Sequence, residues 1–355
     1  MFILRFVWLV LNITAALAWW LASLSLWINP AFWTFPSILA LGYEWLLLLN
    51  LLLALPWLMT KHKSYALLFV IGLLITLPAT RNTFSFSSAS ASADANKSLK
   101  VMTYNTLCLG KERDKDQTKI LRFIREQDAD VVCLQEIRTS KRDRQYYLTL
   151  NAVKQQLGYE YSYIDYKNYQ GEHSYGMAVF SRYPLINKQT IRYESYFNQS
   201  DRCDIVVGSD TIRLINNHLE SNQLTAADLT IPHLQSEQLR QSADHITHKL
   251  TAAYPVRVSQ ARIVRGEIDQ SPYPVLVCGD FNDVPVSYTY RTVSRSLHDA
   301  FLETTRFSGG HTFTKRQLGI RIDFILYSDR FDAVSCDVLD APYSDHLPVV
   351  ATLVW

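Results

Sequence analysis

The first 80 residues of this chain contain three long stretches that are almost free of charge. Residues 6–28 carry no charged side chain, residues 35–59 carry only Glu44, and residues 64–80 again carry none. A helix of about 20 apolar residues is long enough to cross a lipid bilayer. The pattern predicts a bundle of three transmembrane helices in a membrane region over residues 1–82. A secretory signal peptide would explain the first stretch but neither of the others.

The few positive charges around these stretches indicate their orientation, because basic residues favour the cytoplasmic side. Arg5 precedes the first stretch and the sequence TKHK at 60–63 follows the second, whereas the loop at 29–34 has no charge. With both basic segments inside, the third helix leads outward. We therefore expect a multi-pass protein of a bacterial inner membrane with a periplasmic C-terminal domain. Arg81, just after the third stretch, argues against this orientation. If the third stretch only lies on the membrane surface, the domain stays on the cytoplasmic side.

The rest of the chain has the composition of a soluble domain. Residues 1–96 carry four of the 35 Lys and Arg and two of the 33 acidic residues, so residues 97–355 carry 31 of each sign. This balance argues against a strongly basic nucleic-acid-binding domain. The Ser/Ala-rich segment 83–98 is typical of a flexible tether. A folded domain over residues 99–355 follows it.

The five cysteines all lie in this domain, and no two of them form a Cys-x-x-Cys pair. Cys133 and Cys278 lie within apolar, strand-like runs, so we expect buried free thiols. One disulfide remains an open alternative if the compartment is oxidising. The Cys and His residues lack the spacing of a zinc site.

Apolar residues in the soluble domain switch repeatedly between the period of a strand and that of a helix. Helical spacing occurs at 118–126, 151–157 and 235–250. Strand-like runs occur at 100–104, 130–135, 177–181, 211–217, 275–278, 323–327 and 349–355. This mixture predicts an α+β fold.

Polar residues cluster where these strands end, and active sites in sheet-based folds gather at such ends. The cluster consists of Asn105, Glu136, His218, Asp280, Asn282 and Asp323, with Asp345 and His346 before the last strand. Oxygen ligands of this kind suit Mg²⁺ or Mn²⁺ rather than zinc. Magnesium held by few carboxylates usually accompanies a phosphate substrate.

Seven short motifs stand in order along the domain. They are MTYN at 102–105, LQEI at 134–137, YGMAVFSRYP at 175–184, NNHLES at 216–221, GDFND at 279–283, RIDFIL at 321–326 and SDHLPV at 344–349. Together they make residues 100–355 resemble the endonuclease/exonuclease/phosphatase (DNase I-like) family. The resemblance implies a four-layer α/β/β/α sandwich, in which two mixed β-sheets are flanked by helices.

The same resemblance implies a metal site and a set of catalytic groups. Glu136 corresponds to the principal metal ligand, with Asn105 beside it and Asp345 as a second nearby carboxylate. Asp280 corresponds to the residue that orients or deprotonates the attacking water.

Four further residues complete the implied catalytic set. Asn282 would donate a hydrogen bond to a phosphoryl oxygen, and His218 would contact the phosphate. His346 and Asp323 resemble a His–Asp pair, in which the carboxylate fixes the tautomer and raises the pKa of the imidazole.

Three residues outside this set are candidates for substrate binding. Tyr175 and Arg182 lie in one of the motifs, and Arg142 lies in the basic run KRDR at 141–144. A basic run after a metal-ligand loop is a plausible phosphate contact, although solvated loops also carry such charges.

These observations predict a membrane-anchored, divalent-metal-dependent hydrolase of a membrane-proximal or lipid-linked phosphoester. A membrane-tethered nuclease is the alternative, but a nuclease that neutralises many phosphates normally shows a basic excess. A catalytically silent binding module is the third hypothesis, and the intact catalytic set argues against it. The sequence indicates no protein partner.

Overall fold

The computed structural model describes residues 2–86, 95–110, 117–143, 147–224, 228, 236–305, 309–315 and 318–355. The N-terminal region is helical: α1 (Phe2–Ser23), α2 (Phe35–Ala40), α3 (Tyr43–Leu58), α4 (Leu67–Ile75) and α5 (Leu77–Thr83), with 3₁₀ turns at Leu24–Leu26 and Lys63–Ala66. The C-terminal domain contains α6 (Gln117–Glu126), α7 (Leu150–Leu157), α8 (Ser236–Asp269), α9 (Tyr288–Ser294) and α10 (Ala300–Thr304).

The strands of the C-terminal domain form two six-stranded sheets and a hairpin. They are β1 (Ser98–Asn105), β2 (Val131–Ser140), β3 (Tyr161–Gln170), β4 (His173–Ser181), β5 (Leu185–Arg192), β6 (Gln199–Val207), β7 (Asp210–His218), β8 (Val275–Asp280), β9 (His298–Asp299), β10 (Phe313–Lys315), β11 (Leu318–Ile320), β12 (Asp323–Tyr327), β13 (Asp332–Val338) and β14 (Val349–Val354).

Both sheets are mixed. The first has the order β13-β14-β1-β2-β4-β3, and the second has the order β5-β6-β7-β8-β12-β9. The parallel pairs are β1 with β2 and β7 with β8, and the remaining neighbours within each sheet are antiparallel. Strands β10 and β11 form a separate hairpin.

The main core lies between the two sheets, where apolar side chains of β1, β2 and β4 pack against those of β7, β8 and β12. Helices α6 and α7 cover the outer face of the first sheet, and α8 and α9 cover that of the second. The central strands are therefore buried on both faces, which explains apolar runs such as the one in β8. The layers confirm the predicted sandwich of two mixed sheets flanked by helices.

Several local predictions are confirmed. The spacing at 118–126 corresponds to α6, whose Ile120, Leu121 and Ile124 are buried. Thr149 caps α7 by accepting a hydrogen bond from the Ala152 amide, and the helix ends at Gly158, whose φ of 74° favours glycine. The third helix is longer than expected, since α8 extends beyond 235–250 to Asp269.

The prediction of three transmembrane helices is not supported. Only Ile3–Leu26 is a helical segment long and apolar enough to cross a membrane in the described part of the chain. The predicted span 35–59 breaks at Gly42 into α2, of 6 residues, and α3, whose 16 residues fall short of the roughly 20 that a span needs. The predicted span 64–80 bends by 68° between α4 and α5, where Pro78 lies in the first turn of α5, so this pair counts as one further span at most. Apolar composition alone did not reveal these turns.

The predicted tether at 83–98 lies only partly within the described residues, since 87–94 fall outside them. Its beginning packs on the C-terminal domain, because the Ser85 hydroxyl donates to the Leu302 carbonyl over 2.6 Å. Its end enters β1 at Ser98. All five cysteines are free of disulfide bonds, and four of them are buried.

Candidate active site

The sheet topology brings the predicted polar residues to one shared edge of the sandwich. Asn105 ends β1 and Glu136 lies in β2, which is parallel to it. His218 ends β7 and pairs in register with Asp280, which ends β8. Asp323 begins the antiparallel β12 directly opposite Asp280. Residues that are far apart in sequence therefore meet because their strands end at the same edge.

Two of these residues have left-handed backbone conformations, which non-glycine residues adopt at a cost. Glu136 has a φ of 52° and lies in a β-bulge of β2 between Leu134 and Ile137. Asn282 has a φ of 51° in the loop after β8. The bulge redirects the Glu136 side chain, which is how bulges serve active sites.

Gly279 is required by close packing behind the site. Its φ is 125°, and an added Cβ would lie 2.1 Å from the carbonyl oxygen of Asn217 in the neighbouring strand. Only glycine lets β7 and β8 approach this closely. The first residue of the GDFND motif thus positions Asp280 beside His218.

Amide groups organise the carboxylates of the site. The Asn105 side-chain amide donates to Glu136 Oε1 over 3.1 Å and to Asp280 Oδ2 over 3.0 Å. The Asn282 backbone donates to Asp280 Oδ1 over 2.7 Å, and its side chain donates to Asp280 Oδ2 over 3.2 Å. Asp280 is therefore a buried carboxylate held in one orientation by hydrogen bonds from two asparagines.

The predicted His–Asp pair is present. His346 Nδ1 lies 2.9 Å from Asp323 Oδ2, and His346 Nε2 lies 3.7 Å from Asp280 Oδ2. Burial favours the neutral imidazole, but the negative charges of Asp323 and Asp280 outweigh it and raise the pKa of His346 to about 10. His346 is therefore an imidazolium at neutral pH.

The other two titratable groups of the site are shifted by burial. Burial raises the pKa of Asp280 to about 6, against the opposing effect of His346. Burial also lowers the pKa of His218, which favours its neutral form. His218 Nε2 lies 3.5 Å from Glu136 Oε1 and 3.9 Å from Asp280 Oδ2. Within the described residues this nitrogen makes no hydrogen bond, so it is available to a bound group.

The donor set fits a hard divalent cation, since it combines carboxylate and amide oxygens without cysteine. The Glu136 side chain is 32 % exposed, whereas that of Asp280 is 1 % exposed, so Glu136 presents the more accessible carboxylate. Asp345 lines the same cleft as Glu136. Asp280, Asp323 and His346 also place ligand atoms within 4.8 Å of one another. In this group His346 Nδ1 and Asp323 Oδ2 are hydrogen-bonded to each other.

Two cavities meet at Glu136. The first, called here the apolar cleft, has a volume of about 280 Å³; its walls include Leu41, Leu107, Leu224, Phe313, Ile320 and Ile322, and Asp280, Asn282, Asp345 and His346 also line it. The second, called here the aromatic pocket, has a volume of about 260 Å³ and is lined by Cys108, Glu136, Tyr175, Gly176, Phe197, Asn198, His218, Ser221 and Gln223.

The structure separates the three candidate substrate-binding residues. Tyr175 lines the aromatic pocket, and its ring lies 5.1 Å from the Arg138 guanidinium. Arg182 lies at the other end of β4, where it pairs with Asp128 and Asp130, so its grouping with the site was wrong. Arg142 is exposed on the loop after β2 and lines neither cavity.

Sequence reasoning missed two contributors to the site. Gln135 donates to Asn216 Oδ1 over 2.7 Å, and this buried hydrogen bond links the two sheets behind Glu136. Gln135 and Asn216 are polar residues within apolar strands, and they lie in the motifs LQEI and NNHLES. The sequence therefore contained a signal for them. Leu41 comes from the N-terminal region, and no local pattern indicated that it would reach the site.

Two packed sheets with carboxylates, amides and histidines at a shared edge define a class of hydrolases that act on phosphoester bonds. A sequence model of the endonuclease/exonuclease/phosphatase family matches residues 102–346, and the chain belongs to this family. A second sequence model, of a domain of unknown function, matches residues 4–83.

Individual relatives are distant. A Caenorhabditis elegans protein named "Putative neutral sphingomyelinase" is 24 % identical over 315 residues, covering 74 % of this chain and 68 % of the relative. An endonuclease/exonuclease/phosphatase from Beutenbergia cavernae superposes with a TM-score of 0.53 at 20 % identity, covering 73 % and 72 % of the two chains. The human Nocturnin catalytic domain superposes with a TM-score of 0.50 at 20 % identity, covering 73 % and 94 %. These structures share the fold.

Replacing Asp323 by asparagine is expected to shift the basic limb of the pH–rate profile to lower pH. Asp323 is the strongest of the groups that raise the pKa of His346, so its loss lowers that pKa by about one to three units. If the reaction needs the imidazolium, the rate is lost as pH rises through the pKa of His346. The profile of kcat/KM between about pH 6 and 10 checks this, and a variant with a lower rate but an unmoved limb would contradict the role.

Proposed function

We propose that this chain is a membrane-anchored, divalent-metal-dependent hydrolase of a lipid-linked phosphodiester. The observation that carries the proposal is the arrangement around Asp280, which lines the apolar cleft. Its carboxylate contacts Asn105 and Asn282 and lies within 4 Å of two histidines. Hydrolysis of a phosphodiester needs a water deprotonated beside the phosphorus and positive charge around the phosphoryl oxygens.

In this proposal Asp280 orients the attacking water and accepts its proton. Burial makes this carboxylate more basic than an exposed one, while it stays largely ionised at neutral pH. As the water oxygen bonds to phosphorus and the bond to the leaving oxygen breaks, negative charge grows on the phosphoryl oxygens. The His346 imidazolium stabilises this charge, and Asn282 and the neutral His218 donate hydrogen bonds to it.

Glu136 and Asn105, with Asp345 from the neighbouring loop, would hold Mg²⁺ or Mn²⁺. When bound, such an ion neutralises charge on phosphoryl oxygens and lowers the pKa of coordinated water. The partly exposed carboxylate of Glu136 beside two cavities supports this assignment.

Membrane anchoring is supported by the apolar surface of the N-terminal helices. The exposed large apolar side chains of α1 include Ile3, Leu4, Phe6 and Leu17, and those of α3 and α4 include Leu52 and Leu74. Monomeric soluble proteins rarely expose a continuous surface of this kind. We propose that a lipid bilayer covers it and that α1 is the anchor.

The organisation of the chain follows from this anchor. With Arg5 on the cytoplasmic side, a single span through α1 leads the remaining chain to the outer, periplasmic side. We propose a membrane region over 1–82, a tether over 83–98 and a catalytic domain over 99–355.

A lipid-linked substrate is supported by the apolar walls of the cleft and by the balanced charge of the catalytic domain. A relative named as a sphingomyelinase is consistent with a lipid phosphodiester. A nuclease that follows a DNA backbone would present a basic surface instead.

The test uses the full chain in phospholipid nanodiscs with Mg²⁺. A soluble aryl phosphodiester, a panel of phospholipids and plasmid DNA are assayed side by side, with and without EDTA. We expect release of lipid headgroups, intact DNA, a loss of rate of at least about a hundred-fold with EDTA, and recovery with excess Mg²⁺. DNA nicking with intact lipids would make the chain a tethered nuclease, and an EDTA-insensitive rate would contradict the metal site.

A further inference from the structure

The N-terminal helices pack directly on the catalytic domain beside the active site. Trp19, Leu26 and Tyr43 form one buried cluster with Val284 and Ile322 of the catalytic domain. Val284 lies two residues after Asn282, so the loop that holds the catalytic amide also receives the helices. The N-terminal region is therefore part of the surroundings of the site.

Polar contacts fix this packing at several points. The buried guanidinium of Arg321 donates to the Asn82 carbonyl over 2.7 Å. The Asn82 side chain donates to the Pro285 carbonyl over 3.3 Å, and the Tyr254 hydroxyl donates to the Ser37 carbonyl over 3.2 Å. Ser25 also donates to the Val286 carbonyl. Contacts on three separate segments define one position of the helices relative to the site.

The turn between α2 and α3 reaches the apolar cleft. Leu41 lies in this turn and lines the same cleft as Asp280 and His346. Its side chain is half-buried, so part of its surface remains available to a ligand. Phe313 and Ile320 of the β10–β11 hairpin also line this cleft, and with Leu41 they pack against the same buried cluster.

An ion pair holds this turn against that hairpin. Glu44, three residues after Leu41, lies 2.8 Å from His311 Nε2, which precedes β10. Glu44 raises the pKa of His311, which favours the charged pair. Gly319 in β11 leaves room for the imidazole, since an added Cβ would lie 2.3 Å from His311 Nδ1. The ion pair therefore fixes the turn that carries Leu41 relative to the hairpin that carries Phe313 and Ile320.

The two cavities could accommodate the two substituents of a phosphodiester substrate. The apolar cleft and the aromatic pocket share Glu136 and Ser221; His346 lines the cleft and His218 lines the pocket. A phosphorus atom placed at this junction would direct one substituent toward Leu41 and the other toward Tyr175. This geometry suits a phosphodiester with two substituents, one of which enters the apolar cleft.

We propose that Leu41 is a specificity-determining residue, which contacts the hydrocarbon chain of a lipid phosphodiester in the apolar cleft. This inference rests on the proposed function. The membrane region then completes the active site. The hydrocarbon chain of the lipid would pass from the bilayer, along the N-terminal helices, into the cleft.

The test uses phosphodiesters with short hydrocarbon chains, kept below their micellar concentrations so that partitioning into micelles does not contribute. In the wild-type full chain, kcat/KM is expected to rise about threefold to fourfold for each added methylene that enters the cleft. In Leu41→Ser the rise in kcat/KM per added methylene, called here the slope, should be smaller. Leu41→Met should retain the wild-type slope.

Leu48→Ser is the matched control, because Leu48 lies on α3 and is 42 % exposed. It should show the wild-type slope. An equal slope in Leu41→Ser and wild type, or a wild-type enzyme that is active but indifferent to chain length, would overturn the assignment of Leu41. A wild-type chain that hydrolyses no phosphoester with Mg²⁺ would instead overturn the proposed function.

Discussion

Glu136→Gln is expected to lower kcat/KM for phosphoester hydrolysis by at least several hundred-fold. The substitution keeps the size of the side chain but removes the most exposed negative charge of the Asn105–Glu136–Asp280 cluster. An amide binds a divalent cation far more weakly than a carboxylate, so charge stabilisation in the transition state is lost. The apparent Mg²⁺ requirement should rise at the same time.

Initial rates over a series of Mg²⁺ concentrations measure both effects. Glu126→Gln is the matched control, because Glu126 is exposed at the end of α6, away from the site. The control should keep the wild-type rate and Mg²⁺ dependence. If Glu136→Gln also kept them, Glu136 could not be the principal metal ligand.

Asp280→Asn is expected to lower kcat/KM by about a thousand-fold or more, because an amide cannot accept the proton of the attacking water. The wild-type rate should fall as the pH is lowered through the pKa of Asp280, which is raised to about 6. The residual rate of the variant should lack this acid limb, since the group that titrates is gone.

The thermal stability of Asp280→Asn provides a second measurement. Removing the buried charge stabilises the fold, but the new NH2 group cannot accept the hydrogen bonds from Asn105 and Asn282, so the two effects should largely offset and leave the melting temperature nearly unchanged. Asp332→Asn, at the exposed start of β13, is the control for the rate. Loss of activity together with a large loss of stability would indicate a structural role for Asp280.

The catalytic edge was predictable because its residues stand at strand ends within recognisable motifs. Glu136 and Asp280 follow apolar runs that could only be buried strands, and parallel neighbours bring such ends together. The family resemblance then supplied the two-sheet arrangement, which sequence periodicity alone does not specify.

The N-terminal region was less predictable, because apolar composition does not distinguish a straight span from a bent one. Gly42 ends one segment and Pro78 lies at a sharp bend, yet both occur within apolar stretches that are almost free of charge. Leu41 and Ile322 line one cleft although 281 positions separate them. Contacts at that separation leave no periodic signal in a single sequence.

Glu44 illustrates the same limit. A lone acid in an apolar run suggests either a functional group in the membrane or a residue near its surface. Its partner, His311, lies on the catalytic domain. The carboxylate therefore marks the boundary between the two regions, which its local sequence did not reveal.

The buried guanidinium of Arg321 links three parts of the molecule, since it bonds Asp299 on one side and the Asn82 carbonyl on the other. Removing the helices would leave this charge with one partner fewer and would expose Val284 and Ile322 to water. Proteolytic nicking of the segment that joins the helices to β1 should therefore leave both fragments associated. If α1 is the membrane anchor, as proposed above, the catalytic domain would stay attached to the membrane after such a cut, because its packing on the helices and not the connecting segment holds it there.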